Sequence, residues 1–196
     1  MNLRWLPNGL CVLRMLLVLP VAWLLLRGEF ILTLVVFFIA AVTDAADGFL
    51  AKRYHWESEL GKILDPLADK LLLITVFVTL ANLQLVPVWL AALAVLRDLI
   101  ITIGAIVYRV LYGPIVGAAP TLLSKLNTLV QIMYVCGVVS AAALHGMNVS
   151  WPPAWLLHFG SGVVVLTTVF SGSDYVLTYS KRAALAHREK HSRRGH

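Results

Sequence analysis

Residues 30–83 read FILTLVVFFIAAVTDAADGFLAKRYHWESELGKILDPLADKLLLITVFVTLANL. Two apolar runs flank a short polar stretch, and four aspartates recur across it at fixed intervals. The register is Asp44-x2-Asp47-Gly48-x2-Ala51-Lys52-x8-Gly61-x3-Asp65-x3-Asp69. Each apolar run suffices to cross a hydrocarbon core as a helix, which takes about 20 residues. Carboxylates are expensive in or beside a bilayer, so four on one helical hairpin need compensation. Divalent metal ions, held for chemistry at a phosphate, are the most natural source of it.

The rest of the chain repeats the apolar pattern. Of its 196 residues, 60% are hydrophobic and only 13% charged, and the mean hydropathy is +0.84. A soluble domain carries about 25% charged residues, so the expected solvent is lipid. Six apolar stretches have helical period: 8–27, 30–52, 61–83, 86–111, 124–145 and 153–179. Alternating ten-residue segments of the barrel type are absent. The first stretch lacks a small-residue cleavage site and five more follow, so it is expected to remain as a span. The length suits one domain, with a six-helix catalytic unit over 1–180 and a basic tail over 181–196. Arg4, Lys52, Arg53, Lys62, Lys125 and the tail lie on one side, whereas the loops near 28, 84 and 148 carry only Arg27. Basic residues favour the cytosolic side, which places both termini and the aspartate hairpin there. The tail (Lys181, Arg182, Arg188, Lys190, Arg193, Arg194) reads as a positive-inside anchor, and compatibly as a patch drawn to anionic headgroups; no nucleic-acid partner is expected. Cys11 and Cys136 lack metal or redox spacing and are expected to be packing residues.

Asp44 and Asp47 are spaced i, i+3 and Asp65 and Asp69 i, i+4, so each pair shares a helix face. An antiparallel hairpin can gather all four. Oxygen-only ligands suit a hard cation, Mg²⁺ or Mn²⁺, and a two-ion site stabilises attacking and leaving oxygens at phosphorus. Gly48 and Ala51 keep the adjoining face small, and Lys52 supplies a cation for phosphate. Gly61 opens the next helix, and Pro66 falls in its first turn, where a missing N–H breaks no bond. The bland alternative is an acid cluster neutralised by Lys52, Lys62 and Lys70. A different function class, an ion or small-molecule transporter, would place carboxylates at mid-membrane among interrupted helices, not at one mouth.

The register resembles the signature of the CDP-alcohol phosphotransferases (also called CDP-alcohol phosphatidyltransferases), integral membrane enzymes of phospholipid synthesis. The resemblance covers most of the chain, from Pro7-Asn8 onward. One position departs, since Lys52 stands where the family usually has Arg, and Arg53 follows it. The resemblance implies an all-α integral membrane fold, a six-helix bundle that is usually a homodimer. In a bacterium it would sit in the cytoplasmic (inner) membrane with its site facing the cytosol. Asp44, Asp47, Asp65 and Asp69 would bind two divalent cations, and Asp69 would also take the proton of the attacking hydroxyl. Gly48, Ala51, Lys52 and Gly61 would line the cytidine-diphosphate pocket. The donor would be CDP-diacylglycerol, the acceptor a glycerol-containing alcohol, and CMP the leaving group.

Acceptor choice rests on later residues. Arg97-Asp98 in the fourth span is either a bundle-internal ion pair or an acceptor contact through Arg97. Arg109 follows three turns on, and Lys125 opens the fifth span near a helix N-terminus. Phosphatidylglycerophosphate synthases commonly carry a second Arg eight residues after the first and a Lys-x-Lys-Thr at span five. Here those positions are Ala105 and Asn127. The segments 64–70 and 120–131, with the Arg97-to-Arg109 spacing, look more like the eukaryotic-type cardiolipin synthases. Fewer cations suit a diester monoanion, which favours phosphatidylglycerol as acceptor, with glycerol-3-phosphate the alternative. Arg14 either reaches substrate phosphate or snorkels. Asp174-Tyr175 either pair with Arg97 or brace the bundle.

Overall fold

A computed structural model of the protein describes residues 6–54, 61–112, 122–149 and 152–192. The described secondary structure is helical throughout: α1 (Leu6–Leu26), α2 (Phe30–Tyr54), α3 (Gly61–Asn82), α4 (Val88–Tyr112), α5 (Leu122–Gly146) and α6 (Ala154–Ser192). Each expected apolar stretch falls on one of these helices. The last departs most, because α6 continues beyond position 179 and runs 39 residues, through most of the basic tail. At 1.5 Å per residue it is about 58 Å long.

Among the described residues, two segments, Leu122–Gly146 and Ala154–Tyr175, are long and apolar enough to cross a membrane. Shorter apolar stretches occupy Met15–Leu26, Phe30–Thr43 and Lys70–Asn82. The outer surface is as oily as the interior. Leu19, Phe38, Val88, Met133, Trp155, Phe159 and Phe170 are all more than half exposed. A soluble monomer rarely leaves so much large apolar surface uncovered. In lipid, backbone polar groups must be satisfied within the helices, and hydroxyls follow the same rule. Thr33, Thr79, Thr102 and Thr128 each donate to the carbonyl four residues back.

The turns after α1, α3 and α5 share one device. Gly28, Gln84 and Asn148 adopt left-handed φ values of 75°, 57° and 60°. In each case two amides turn back onto the helix, as with Gly28 N to Leu25 O and Glu29 N to Leu24 O. This is the Schellman closure, which satisfies carbonyls that a helix end leaves bare. These are the three loops that carry almost no positive charge.

The helices pack in a closed ring, α1–α2–α5–α6–α4–α3, with α3 also touching α5. Val21, Leu25, Phe77, Leu80, Leu90, Val139 and Val164 are buried within it. Close approach of α5 and α6 depends on Gly160, where a Cβ would lie 3.0 Å from the Tyr134 ring. The ring positions the polar residues of α3, α4, α5 and α6 against one another.

Gln84 is the one turn residue of the three that has neither glycine's freedom nor asparagine's short polar side chain. Gln84→Gly should raise stability by about 0.5–1 kcal/mol, relief of the left-handed conformation exceeding the added chain entropy. Thermal unfolding in detergent reads this, and an unchanged or lower midpoint would contradict it.

Candidate active site

A charged triad lies inside the ring. Arg97 and Asp98 of α4 are only 5% and 3% exposed. The Arg97 Nη1 donates to Asp98 Oδ1 at 2.7 Å, and the Lys70 Nζ of α3 reaches Asp98 Oδ2 at 2.8 Å. Both carboxylate oxygens are therefore taken by cations, and the triad carries a net charge of about +1. Arg97 Nη2 also donates to Ser124 Oγ of α5 at 3.0 Å and to Ser171 Oγ of α6. One guanidinium thus joins three helices, and the carboxylate joins a fourth. Sequence alone left Arg97-Asp98 open between an ion pair and an acceptor contact. The ion pair is present, and Arg97 also lines a crevice of about 580 Å³ between α4 and α6, with Leu96, Ile100, Thr168 and Gly172. Its Nε is buried without a hydrogen-bond partner.

A polar column continues from the triad between α5 and α6. Ser124, Asn127 and Gln131 follow i, i+3, i+7 on α5, and Thr168, Ser171 and Tyr175 follow the same spacing on α6. Because the two helices run in opposite directions, Ser124 meets the level of Ser171 and Asn127 meets Thr168. Thr168 Oγ1 donates to Asn127 Oδ1 at 3.0 Å. Tyr175 Oη donates to the Ile101 carbonyl at 2.9 Å, which is the bracing role among the two foreseen for it. Its ring fits because Gly104 has no side chain, where a Cβ would sit 3.2 Å away.

The aspartates fall as expected on two helices, Asp44 and Asp47 on α2, Asp65 and Asp69 on α3. Gly48, Ala51 and Lys52 also belong to α2, Gly61 opens α3, and Arg109 belongs to α4. The side chains of these residues lie outside the described part of the structure, as do those of Arg14 and Cys11. The linker 55–60 and Pro120 lie outside it altogether. Lys125 is exposed in the first turn of α5, apart from the buried triad. Lys70, considered above as a partner for the aspartate cluster, pairs with Asp98. It immediately follows Asp69 in α3, so the triad anchors the backbone that carries that aspartate. Sequence reasoning gave no individual role to Gln131, Thr168 or Ser171. The available signal was the heptad-like recurrence of polar residues inside two otherwise apolar helices.

Comparison with known proteins identifies the family. The profile of the family described as CDP-alcohol phosphatidyltransferase matches residues 4–171. The human protein named cardiolipin synthase (CMP-forming) is 35% identical, over 69% of this chain and 50% of its own. The Bacillus subtilis CDP-diacylglycerol–glycerol-3-phosphate 3-phosphatidyltransferase is 35% identical, over 72% of this chain and 69% of its own. A probable phosphatidylglycerophosphate synthase of Mycobacterium tuberculosis is 33% identical, over 72% and 62%. The chain spans about half the length of the human relative it matches.

The triad makes an asymmetric prediction. Asp98→Asn leaves the buried Arg97 and the half-buried Lys70 without their shared anion and should destabilise the fold by about 3–5 kcal/mol. Lys70→Met should have a smaller effect, since Asp98 keeps Arg97. Thermal midpoints of the two variants in the same detergent test the order, and equal losses would contradict it.

Proposed function

The chain belongs to the CDP-alcohol phosphatidyltransferase family, and we propose that it transfers a phosphatidyl group from CDP-diacylglycerol to the hydroxyl of a glycerol-containing acceptor, releasing CMP. The observation that carries this is the aspartate register of α2 and α3, which lies wholly inside the matched residues. We further propose that all six helices span the membrane, that both termini face the cytosol, and that the protein works as a homodimer. In a bacterium this is the cytoplasmic membrane.

The donor set fits hard divalent cations. Asp44, Asp47, Asp65 and Asp69 offer oxygen only, and Lys70, a candidate counter-ion, is held by Asp98. These four would hold two ions, Mg²⁺ or Mn²⁺, which when bound neutralise charge on the phosphoryl oxygens. In this reading, Lys52 offsets the diphosphate charge, while Gly48, Ala51 and Gly61 let the nucleotide approach the backbone closely. Asp69 accepts the proton of the acceptor hydroxyl. The hydroxyl oxygen attacks the phosphorus bearing diacylglycerol, the bond to the CMP oxygen breaks, and CMP leaves. Catalysis of this kind rests on positioning and electrostatics more than on covalent chemistry.

The preferred acceptor in this account is phosphatidylglycerol, giving a cardiolipin-synthase-type reaction. The net charge of about +1 in the triad of Lys70, Arg97 and Asp98 matches a diester monoanion, and Asn127 adds no further cation. Arg109 and Lys125 are proposed to attract anionic substrate at the cytosolic ends of α4 and α5. Glycerol-3-phosphate is the alternative, favoured by the resemblance to the Bacillus protein.

The purified protein, given CDP-diacylglycerol and Mn²⁺, should release CMP with phosphatidylglycerol at least tenfold faster than with glycerol-3-phosphate. The reverse order would assign the other acceptor. Asp69→Asn should lower CMP release at least about 10²-fold, the usual scale for a lost general base, while elution volume on gel filtration stays unchanged. Full activity in that variant would remove Asp69 as the base.

A further inference from the structure

Three polar side-chain atoms in the α5–α6 column are buried without a hydrogen-bond partner: Asn127 Nδ2, Gln131 Nε2 and Gln131 Oε1. Both residues are fully buried, at 0% exposure. They stand one helical turn apart on the same face of α5. Orphaned amide groups in a buried interior are rare and each one calls for an explanation. Asn127 is oriented, because its Oδ1 accepts from Thr168 and its Nδ2 therefore points elsewhere. Exchange of the oxygen and nitrogen of Gln131 changes nothing, since neither has a partner.

We propose that Asn127 and Gln131 are specificity-determining residues that bind the secondary hydroxyl of the acceptor's glycerol headgroup. The inference rests on the phosphatidyl-transfer reading above and names the residues that recognise its acceptor. The unmet groups are two amide donors and one carbonyl acceptor. A phosphate oxygen satisfies only donors and would repel Gln131 Oε1. A quaternary ammonium satisfies neither kind. A hydroxyl satisfies both, because it accepts from an amide N–H and donates to a carbonyl.

The surroundings fit a headgroup with an anion beside its hydroxyl. Arg97, whose Nε is also buried and unpaired, contacts Ser124 and Ser171 at the head of the same column. One turn, about 5 Å of helix, separates Ser124 from Asn127. That is a spacing suited to a phosphodiester and the hydroxyl two carbons away. The column is also where substrate contacts would be sought on energetic grounds, since unpaired polar groups weaken the fold unless a ligand pairs them.

The test compares phosphatidylglycerol with phosphatidyl-1,3-propanediol, which keeps the attacking hydroxyl and lacks the secondary one. CMP release by the full chain is measured in mixed micelles with CDP-diacylglycerol and Mn²⁺. The parent protein should show a KM for phosphatidylglycerol at least tenfold lower than for the deoxy analogue. Gln131→Leu and Gln131→Met should raise the KM for phosphatidylglycerol at least tenfold and bring the two acceptors within about twofold. The KM for CDP-diacylglycerol should stay within twofold, and the thermal midpoint should hold or rise because an unpaired amide has been removed.

Equal KM values for the two acceptors in the parent overturn the proposal without recourse to any variant. So does a preference that survives both substitutions. A fall in midpoint with both substrates' KM values rising together shows a structural role, such as holding a buried water, and also overturns it. If the parent releases no CMP with phosphatidylglycerol, the acceptor reading fails first and this site fails with it.

Discussion

Asp98 accepts from two cations on different helices, and the arrangement of the bundle follows from keeping that carboxylate compensated. Lys70 draws α3 to α4, and Arg97 carries the connection on to Ser124 of α5 and Ser171 of α6. Removing charges from water is costly, and attraction within a low-dielectric interior offsets that only when the geometry is good and the remaining valences are filled. Here both carboxylate oxygens are used, while one guanidinium nitrogen is left over. In the reading proposed above, this surplus of positive charge would hold the acceptor's anion.

The triad also connects the two chemically distinct regions of the molecule. On one side Lys70 adjoins Asp69 in α3, so the helix carrying half of the aspartate register is fixed by its pairing with α4. On the other, Arg97 heads the polar column that descends between α5 and α6 toward Gln131. The transfer proposed above would use both: carboxylates to organise the donor's diphosphate, and a neutral polar lining to select the alcohol. Apolar packing around Phe77, Leu80, Leu90 and Val139 holds the ring together but leaves its polar centre unaltered.

Much of this was legible in the sequence. Apolar stretches of helical period marked the six helices, and the aspartate spacing marked the two helices bearing the register. Loops near 28, 84 and 148 were visible as gaps in the apolar pattern. Their shared left-handed closure was not, because Gly28 and Asn148 suit it but Gln84 does not, being driven there by carbonyls needing partners. The extent of α6 was also missed, since loss of apolarity near position 180 ends a span but not a helix. Lys70 was weighed only as a neighbour of the aspartates, because its pairing with Asp98 depends on packing across 28 positions of sequence. Gln131 counted only as the end of segment 120–131 and was given no role, because a single glutamine in an apolar helix becomes informative only once both of its polar atoms are known to lack partners.

The account depends most on carboxylates from α2 and α3 converging on shared cations. Anomalous scattering at the manganese edge, from crystals of the protein grown with Mn²⁺ and CDP-diacylglycerol, tests this most directly. Two peaks about 3.5–4 Å apart, both bounded by Asp44, Asp47, Asp65 and Asp69, are the expected result. Manganese bound elsewhere, with those four side chains directed away from one another, would contradict it.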